Sequence, residues 1–204
     1  MGERAFVVTQ SIKKLNAQDR QWALDTKGFK RLSDDKVVDL SEISKDDEAI
    51  YYKDAPYTPK DLSQRLIITY SPKYAKYQKT IREKQVDRAK LMLEKGSIKK
   101  ERRNPNDPAR FISSLAVTDD GEKANVHNFL NTDKIDEETK YDGMYAVSTD
   151  LLDDNVSKIL SISEKRWQIE ECFRIMKTEF EARPVYLQRV DRITAHFLTC
   201  FLAL

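Results

Sequence analysis

Ser163 to Phe180, SEKRWQIEECFRIMKTEF, is the stretch on which the fold turns. At about 100° per residue, Glu170 lies about 40° around a helix from Arg166, and Lys177 about 20°. Ser163 falls about 60° away. Ile162, Ile169, Cys172, Phe173, Met176 and Phe180 form an apolar stripe beside that line, about 240° to 340° from Arg166. Neither Gly nor Pro interrupts the stretch before Pro184. The pattern predicts one continuous helix from 161 to about 181, with Ile169, Phe173, Met176 and Phe180 buried. Such a helix holds one carboxylate rigidly between two cations at the border of a buried face. The same Arg166–Glu170 spacing, i to i+4, is also that of a surface salt bridge worth about 0.2–0.5 kcal/mol. Geometry alone leaves both readings open.

Moving outward, 204 residues with 40% hydrophobic content suffice for one ordinary core and a small second lobe. Charged residues are abundant but balanced, 36 basic against 34 acidic, so a net charge of +2 makes no general case for nucleic acid. The charge is unevenly placed. Lys73 to Arg103 holds twelve Lys and Arg against four acids, a local balance of +8, whereas 34–54 and 133–154 are acidic. A basic block of this kind is either a solvated helix face or a surface for phosphate. Cys172 and Cys200 sit in apolar helical contexts and read as buried free thiols in a reducing cytoplasm. Met1 is followed by Gly2, Glu3 and Arg4, which is not a signal peptide. The apolar run 197–204 is too short to span a membrane.

Secondary structure follows from punctuation and period. Ala5 to Gln10, AFVVTQ, reads as a buried strand. Residues 13–54 read as short segments with turns at Gly28 and Asp34–Asp35. Ala49 to Tyr52 and Arg65 to Tyr70 are β-rich. Ser71–Pro72 opens a helix to about Lys95, capped by Gly96. Residues 96–110 read as a polar loop, Phe111 to Val117 as a strand, Tyr141 to Thr149 as a strand broken by Gly143, and Leu151 to Leu160 as a short helix. Tyr74 and Tyr77 among lysines either stack on bases or pack as the apolar side of their helix, the latter being the commoner arrangement. His127 and His196 lack ligand partners in sequence. There is no zinc-type Cys/His spacing and no Walker loop. Ser97 to Lys100 fits Ser-x-x-Lys, without meaning in a basic loop. Trp167 lies about 100° from Arg166, off the main stripe.

The spacing R-x3-E-x6-K in RWQIEECFRIMK resembles the C-terminal signature of the IS4-type DDE transposases, most closely their IS1634-like branch. The full pattern is Y-x2-R-x3-E-x6-K, and Ser163 stands where it has tyrosine. KYDGMYAVSTD (140–150) and ARPVYLQRVDRITAHFLTCFLAL (182–204) resemble the same branch. The resemblance implies a mixed α/β fold: a partial RNase H-like catalytic core interrupted by a β-rich insertion domain with a basic helix. Mapped onto this chain, residues 1–11 hold the last core strand, 12–140 the insertion, and 141–204 the C-terminal part of the core with the signature helix. Members of the family cut and join DNA with three carboxylates and divalent metal, Mg²⁺ or Mn²⁺.

The resemblance makes Glu170 the third catalytic carboxylate and a metal ligand, with Arg166 and Lys177 as DNA-phosphate contacts. Independently of the resemblance, the local charge balance makes Lys76, Lys79, Arg82 and Lys84 of the basic helix the expected further DNA contacts. The family's first two aspartates lie on strands before the segment matched by Ala5–Gln10, and Asp142 matches a strand that carries no metal ligand. One carboxylate cannot assemble a two-metal site. The expectation is therefore an N-terminally truncated transposase, inactive alone and without bound metal, in the cytoplasm. Its partners would be DNA and a second transposase chain, not membrane. The alternative is a non-catalytic DNA-binding or interaction remnant that uses the basic helix 73–103.

Overall fold

The computed structural model describes residues 5–96, 106–117, 125–178, 180 and 185–203. The fold is mixed α/β, with six α-helices among the described residues and a mainly antiparallel sheet. It divides into two compact units. One is 10–148; in the other, the described residues before 10 join those from 149 onward.

In the 10–148 unit, α1 (Ala17–Leu24) starts at Asn16, whose side-chain oxygen accepts from the Asp19 N–H at 2.8 Å. The Asn16 amide returns a bond to the Asp19 carboxylate at 2.7 Å, a reciprocal cap. Then β2 (Phe29–Arg31) turns back as β3 (Val37–Val38) through Asp34–Asp35, with Asp35 at φ 56°. Next come β4 (Tyr51–Tyr57) and β5 (Gln64–Tyr70), paired antiparallel from Tyr51 opposite Tyr70 to Tyr57 opposite Gln64. Leu66 to Thr69 are buried in succession, as the continuous apolar run RLIITY predicts for a strand covered on both faces. Phe29, Tyr51, Leu66 and Ile68 build the core of this unit with Ile12, Leu15 and Ala23.

Lys53 sits inside that core, 4% exposed. Its Nζ donates to the carbonyls of Trp22 and Asp25, at the end of α1, each at 2.5 Å. It also lies 4.5 Å over the Phe29 ring and 5.0 Å over Trp22. The ammonium therefore meets the negative end of a helix and two π-faces. Burial nevertheless pulls it down to about 8.

The long helix α2 (Pro72–Glu94) begins at Ser71, with Pro72 in its first turn, and runs out at Lys95 and Gly96, the latter at φ 63°. The opening at Ser71–Pro72 and the stop at Gly96 match the sequence reading. Its inward face carries Pro72, Arg82, Gln85 and Ala89. Arg82 is clamped by Asp142 through two bonds of 2.5 Å. Next to Asp142, Gly143 accepts from the Ser71 N–H at 3.1 Å and donates to the Gln78 side chain at 2.7 Å. With φ at 75°, a Cβ there would stand 2.8 Å from each of Ala75 Cβ, the Ser71 carbonyl and the Tyr70 ring, so only glycine fits. Farther along, β6 (Ile112–Val117) and β7 (Asn125–Leu130) form a separate antiparallel pair, followed by α3 (Thr132–Thr139). Arg110 bonds Gln85 of α2 at 2.8 Å and Glu138 of α3 at 2.9 Å, joining the two helices. Within this unit the sheet strands run in the order β8-β5-β4-β2-β3, with β8 at Met144–Thr149.

The other unit contains β1 (Val7–Thr9), α4 (Val156–Glu164), α5 (Arg166–Thr178) and α6 (Val190–Leu202). The Phe6 N–H donates to Asp150 at 2.8 Å and its carbonyl accepts from Thr149 Oγ1 at 2.6 Å. α4 packs on β1 with Val156, Ile159 and Leu160 buried. Four sequence expectations are corrected here. Ala5–Gln10 is a three-residue strand, not a buried one: Val8, 45% exposed, and Thr9 both reach solvent. The helix expected from 161 to 181 is two helices: at Lys165 the Gln168 N–H bonds the Lys165 carbonyl, tightening one turn with no Gly or Pro present. Phe173 is 58% exposed. Cys172 is exposed too, while Cys200 is buried. An apolar stripe marks what can be buried, but a facing element must arrive, and none among the described residues covers Cys172 and Phe173. The side chain of Ile169 and residues 181–184 lie outside the described residues.

Two stability measurements test the 10–148 unit. Asp142→Ala leaves the Arg82 guanidinium buried without its partner, and chemical denaturation is expected to show a loss of about 3–5 kcal/mol. Arg82→Met combined with Asp142→Leu should recover much of it. Lys53 sets a pH dependence. Its unfolded value is 10.5 and its folded value about 8, so between them the unfolded chain binds the proton more often and stability rises with pH. The rise should appear between pH 8 and 10. Above that, Tyr52, raised from 10.0 to about 12 by burial, acts with the opposite sign. Lys53→Met should flatten the rise, measured as denaturation midpoints at each pH.

Candidate functional site

Two surfaces bear the residues singled out in the sequence, one in each unit. On α5, Arg166 is the first helical residue, Glu170 follows one turn later, and Lys177 lies in the last turn. Glu170 and Lys177 are exposed, and no described residue forms an ion pair with either. The side chain of Arg166 lies outside the described residues, as does that of Trp167. The neighbouring Glu171 does pair with Arg174, which holds its carboxyl below the usual range. Of the three residues in the spacing, Glu170 and Lys177, its carboxylate and one of its cations, are thus seen exposed.

A divalent cation of the Mg²⁺ class needs several oxygens converging at about 2.0–2.1 Å. Among the described residues no three His, Cys, Asp or Glu side chains come together as such a cage. Glu170 alone does not fit a two-metal centre.

The second surface is α2. Its solvent side is divided in two by helical phase. One edge carries Lys76, Lys79 and Lys90, each beside an acid: Lys76 with Asp46 at 3.1 Å, Lys79 with Glu83 at 3.8 Å, and Lys90 with Asp87 at 3.5 Å. These are weak surface pairs, but they offset the positive charge along that edge. The other edge carries Lys73, Tyr74, Tyr77, Ile81, Lys84 and Arg88, all exposed. Among the described residues, Lys73, Lys84 and Arg88 have no acidic partner. Of the four α2 cations singled out in the sequence, Arg82 is corrected: it is 8% exposed and committed to Asp142, so it offers no contact to phosphate. Lys99, Lys100, Arg102 and Arg103 of the basic block lie outside the described residues.

Tyr74 and Tyr77 are 44% and 59% exposed, which overturns their reading as the packed side of the helix. Their rings stack at 6.1 Å between centroids and 21° between planes. They line one wall of a groove of about 440 Å³ that also takes in Ile81, Gln78, Tyr141 and Tyr145. Lys13 also lines it, with its ammonium 4.9 Å over the Tyr141 ring, and burial raises the Tyr141 phenol. Sequence reasoning missed Lys73, Arg88, Lys13, Tyr141 and Tyr145. The helical phase shared with Lys84 was a readable signal for Lys73 and Arg88. Lys13, Tyr141 and Tyr145 come from distant segments and carried none.

No helix among the described residues is long and apolar enough to cross a membrane. In comparisons with known proteins, the family model described as a transposase DDE domain matches residues 10–204. No curated protein and no solved structure matches the chain.

Proposed function

The chain belongs to the transposase DDE-domain family, and from that premise we propose that it acts on DNA in transposition as a protein of the IS4 type, IS1634-like branch. DDE domains have an RNase H-like fold and generally work with divalent metal. In this reading residues 12–140 are the family's insertion, 1–11 hold the last strand of its RNase H-like core, and 141–204 are the C-terminal part of that core, which presents Glu170 as the third acid. Arg166 and Lys177 hold the phosphate backbone on either side of it. Among the described residues no further carboxylates gather with Glu170 as a metal site, and this reading expects no strand cleavage by Glu170 alone. The observation that carries the reading is the exposed Glu170, on one line of α5 with Lys177, in a chain whose family match spans 10–204. The site of action is cytoplasmic DNA, and a second transposase chain is a natural partner.

A second reading is favoured by α2: a protein that binds DNA without cutting it. Its three exposed cations, with no acidic partners among the described residues, would neutralise backbone phosphates irrespective of sequence.

Both readings predict binding to duplex DNA that weakens steeply with salt. Changing Lys73, Lys84 and Arg88 to Gln should reduce the salt slope by about 0.9 for each phosphate no longer neutralised. Changing Lys76 and Lys79, beside their acids, should matter less. No binding at low salt would end both readings. With Mg²⁺ or Mn²⁺ and DNA carrying the element's ends, the purified chain is expected to leave the strands intact. Cleavage that disappears in Glu170→Gln would show instead that the chain holds a complete site.

A further inference from the structure

We propose that the groove beside α2 binds unpaired nucleotides of DNA, with Tyr74 and Tyr77 as a stacking platform and Lys73, Lys84 and Arg88 as the phosphate contacts. The proposal rests on the DNA-acting reading above and specifies which state of DNA this unit recognises.

Three observations converge on it. First, the tyrosines are not core residues. The inward face of α2 is Pro72, Arg82, Gln85 and Ala89, and locking Arg82 onto Asp142 fixes the helix rotation that leaves both rings outside. Two large rings held nearly parallel at a surface offer open π-faces, and every base has a π-face to set against them. Second, cations with no acidic partners among the described residues share that edge of the helix. On the opposite edge, acids stand beside the lysines. A polyanion is thus drawn to the tyrosine side. Third, the rings border a groove rather than a flat surface. Its volume, about 440 Å³, lies in the range of small-ligand sites, about 300–1,000 Å³. That accommodates a nucleoside and is far too small for a duplex. Tyr141, Tyr145 and Lys13 line the same groove, offering a base further aromatic surface and its phosphate a further cation.

Paired bases in a duplex keep their faces stacked on each other, so the platform can engage only bases that have left the stack. Phosphate contacts by themselves would not distinguish the two states. The stacking component should therefore separate single strands from duplex, whereas the cations should serve both.

The test uses the full 204-residue chain and fluorescence anisotropy at fixed salt. The probes are a labelled oligothymidine of about ten nucleotides, within the site sizes such grooves take, and a blunt duplex of the same length. The expected result is that Tyr74→Ala with Tyr77→Ala weakens single-strand binding about tenfold or more and shifts duplex binding less than about twofold. Tyr77→Phe and Tyr77→Trp keep the π-face and should retain single-strand affinity. They also separate loss of stacking from loss of fold, as does an unchanged thermal melt of the alanine variant. Lys84→Gln should weaken both probes alike. Equal loss on both probes, or no loss on the single strand, overturns the groove assignment while leaving DNA binding in place. Binding to neither probe by the unmodified chain overturns the DNA-acting reading and this one with it.

Discussion

The buried ion pair between Arg82 and Asp142 fixes what the 10–148 unit shows to solvent. A guanidinium left alone in that position would be costly, so α2 cannot turn about its axis without losing its partner. Gly143 closes the same joint from the backbone, meeting Ser71 and Gln78 where any side chain would collide. Arg110, bridging Gln85 and Glu138, ties the helix down a second time. With rotation fixed, the charges of α2 fall into two edges. On one, acids neighbour the lysines; on the other, cations with no acidic partner among the described residues stand beside two exposed tyrosines. The local balance of +8 does not describe this division. Charge that looks like one block in sequence becomes two surfaces of different character.

Lys53 shows a related economy in the sheet core. A strand position between Tyr52 and Asp54 places a lysine where β4 is buried, and the chain meets the cost with the carbonyls that α1 leaves open at its end and with the rings of Trp22 and Phe29. A cation thus closes a helix terminus from inside the core. In the other unit the helices are less fully covered. α4 buries Val156, Ile159 and Leu160, but Phe173 on α5 and Leu198, Phe201 and Leu202 on α6 stay exposed. The acid-bearing helix therefore presents Glu170 and much of its own apolar stripe to solvent together.

Much of the architecture was legible because local chemistry sets helix ends. Ser71–Pro72 and Gly96 bound α2 almost as read, and RLIITY became a strand buried from Leu66 to Thr69. Asn16, Asn131 and Asn155 each cap a helix by accepting a backbone N–H. The first two of those helices were missed although Asn-x-x-Asp at 16–19 is itself a start signal. The family was legible too, since R-x3-E-x6-K is a spacing along one helix and needs no distant partner.

What the sequence by itself determined is therefore whatever depends on neighbours along the chain: the positions of α2 and β5, the turns at Gly28 and Asp34–Asp35, the line from Arg166 to Lys177, and the family. What only the tertiary structure decided is which side of each element is covered. Arg82 was one basic residue among twelve until Asp142, sixty positions away, took it inside. Tyr74 and Tyr77 fitted a helix's apolar face until the packing of α2 left them out. Cys172 and Phe173 had the period of a core and no described element to make one. Periodicity reports that an apolar face exists. Burial requires a second surface to meet it, and that surface comes from elsewhere in the chain.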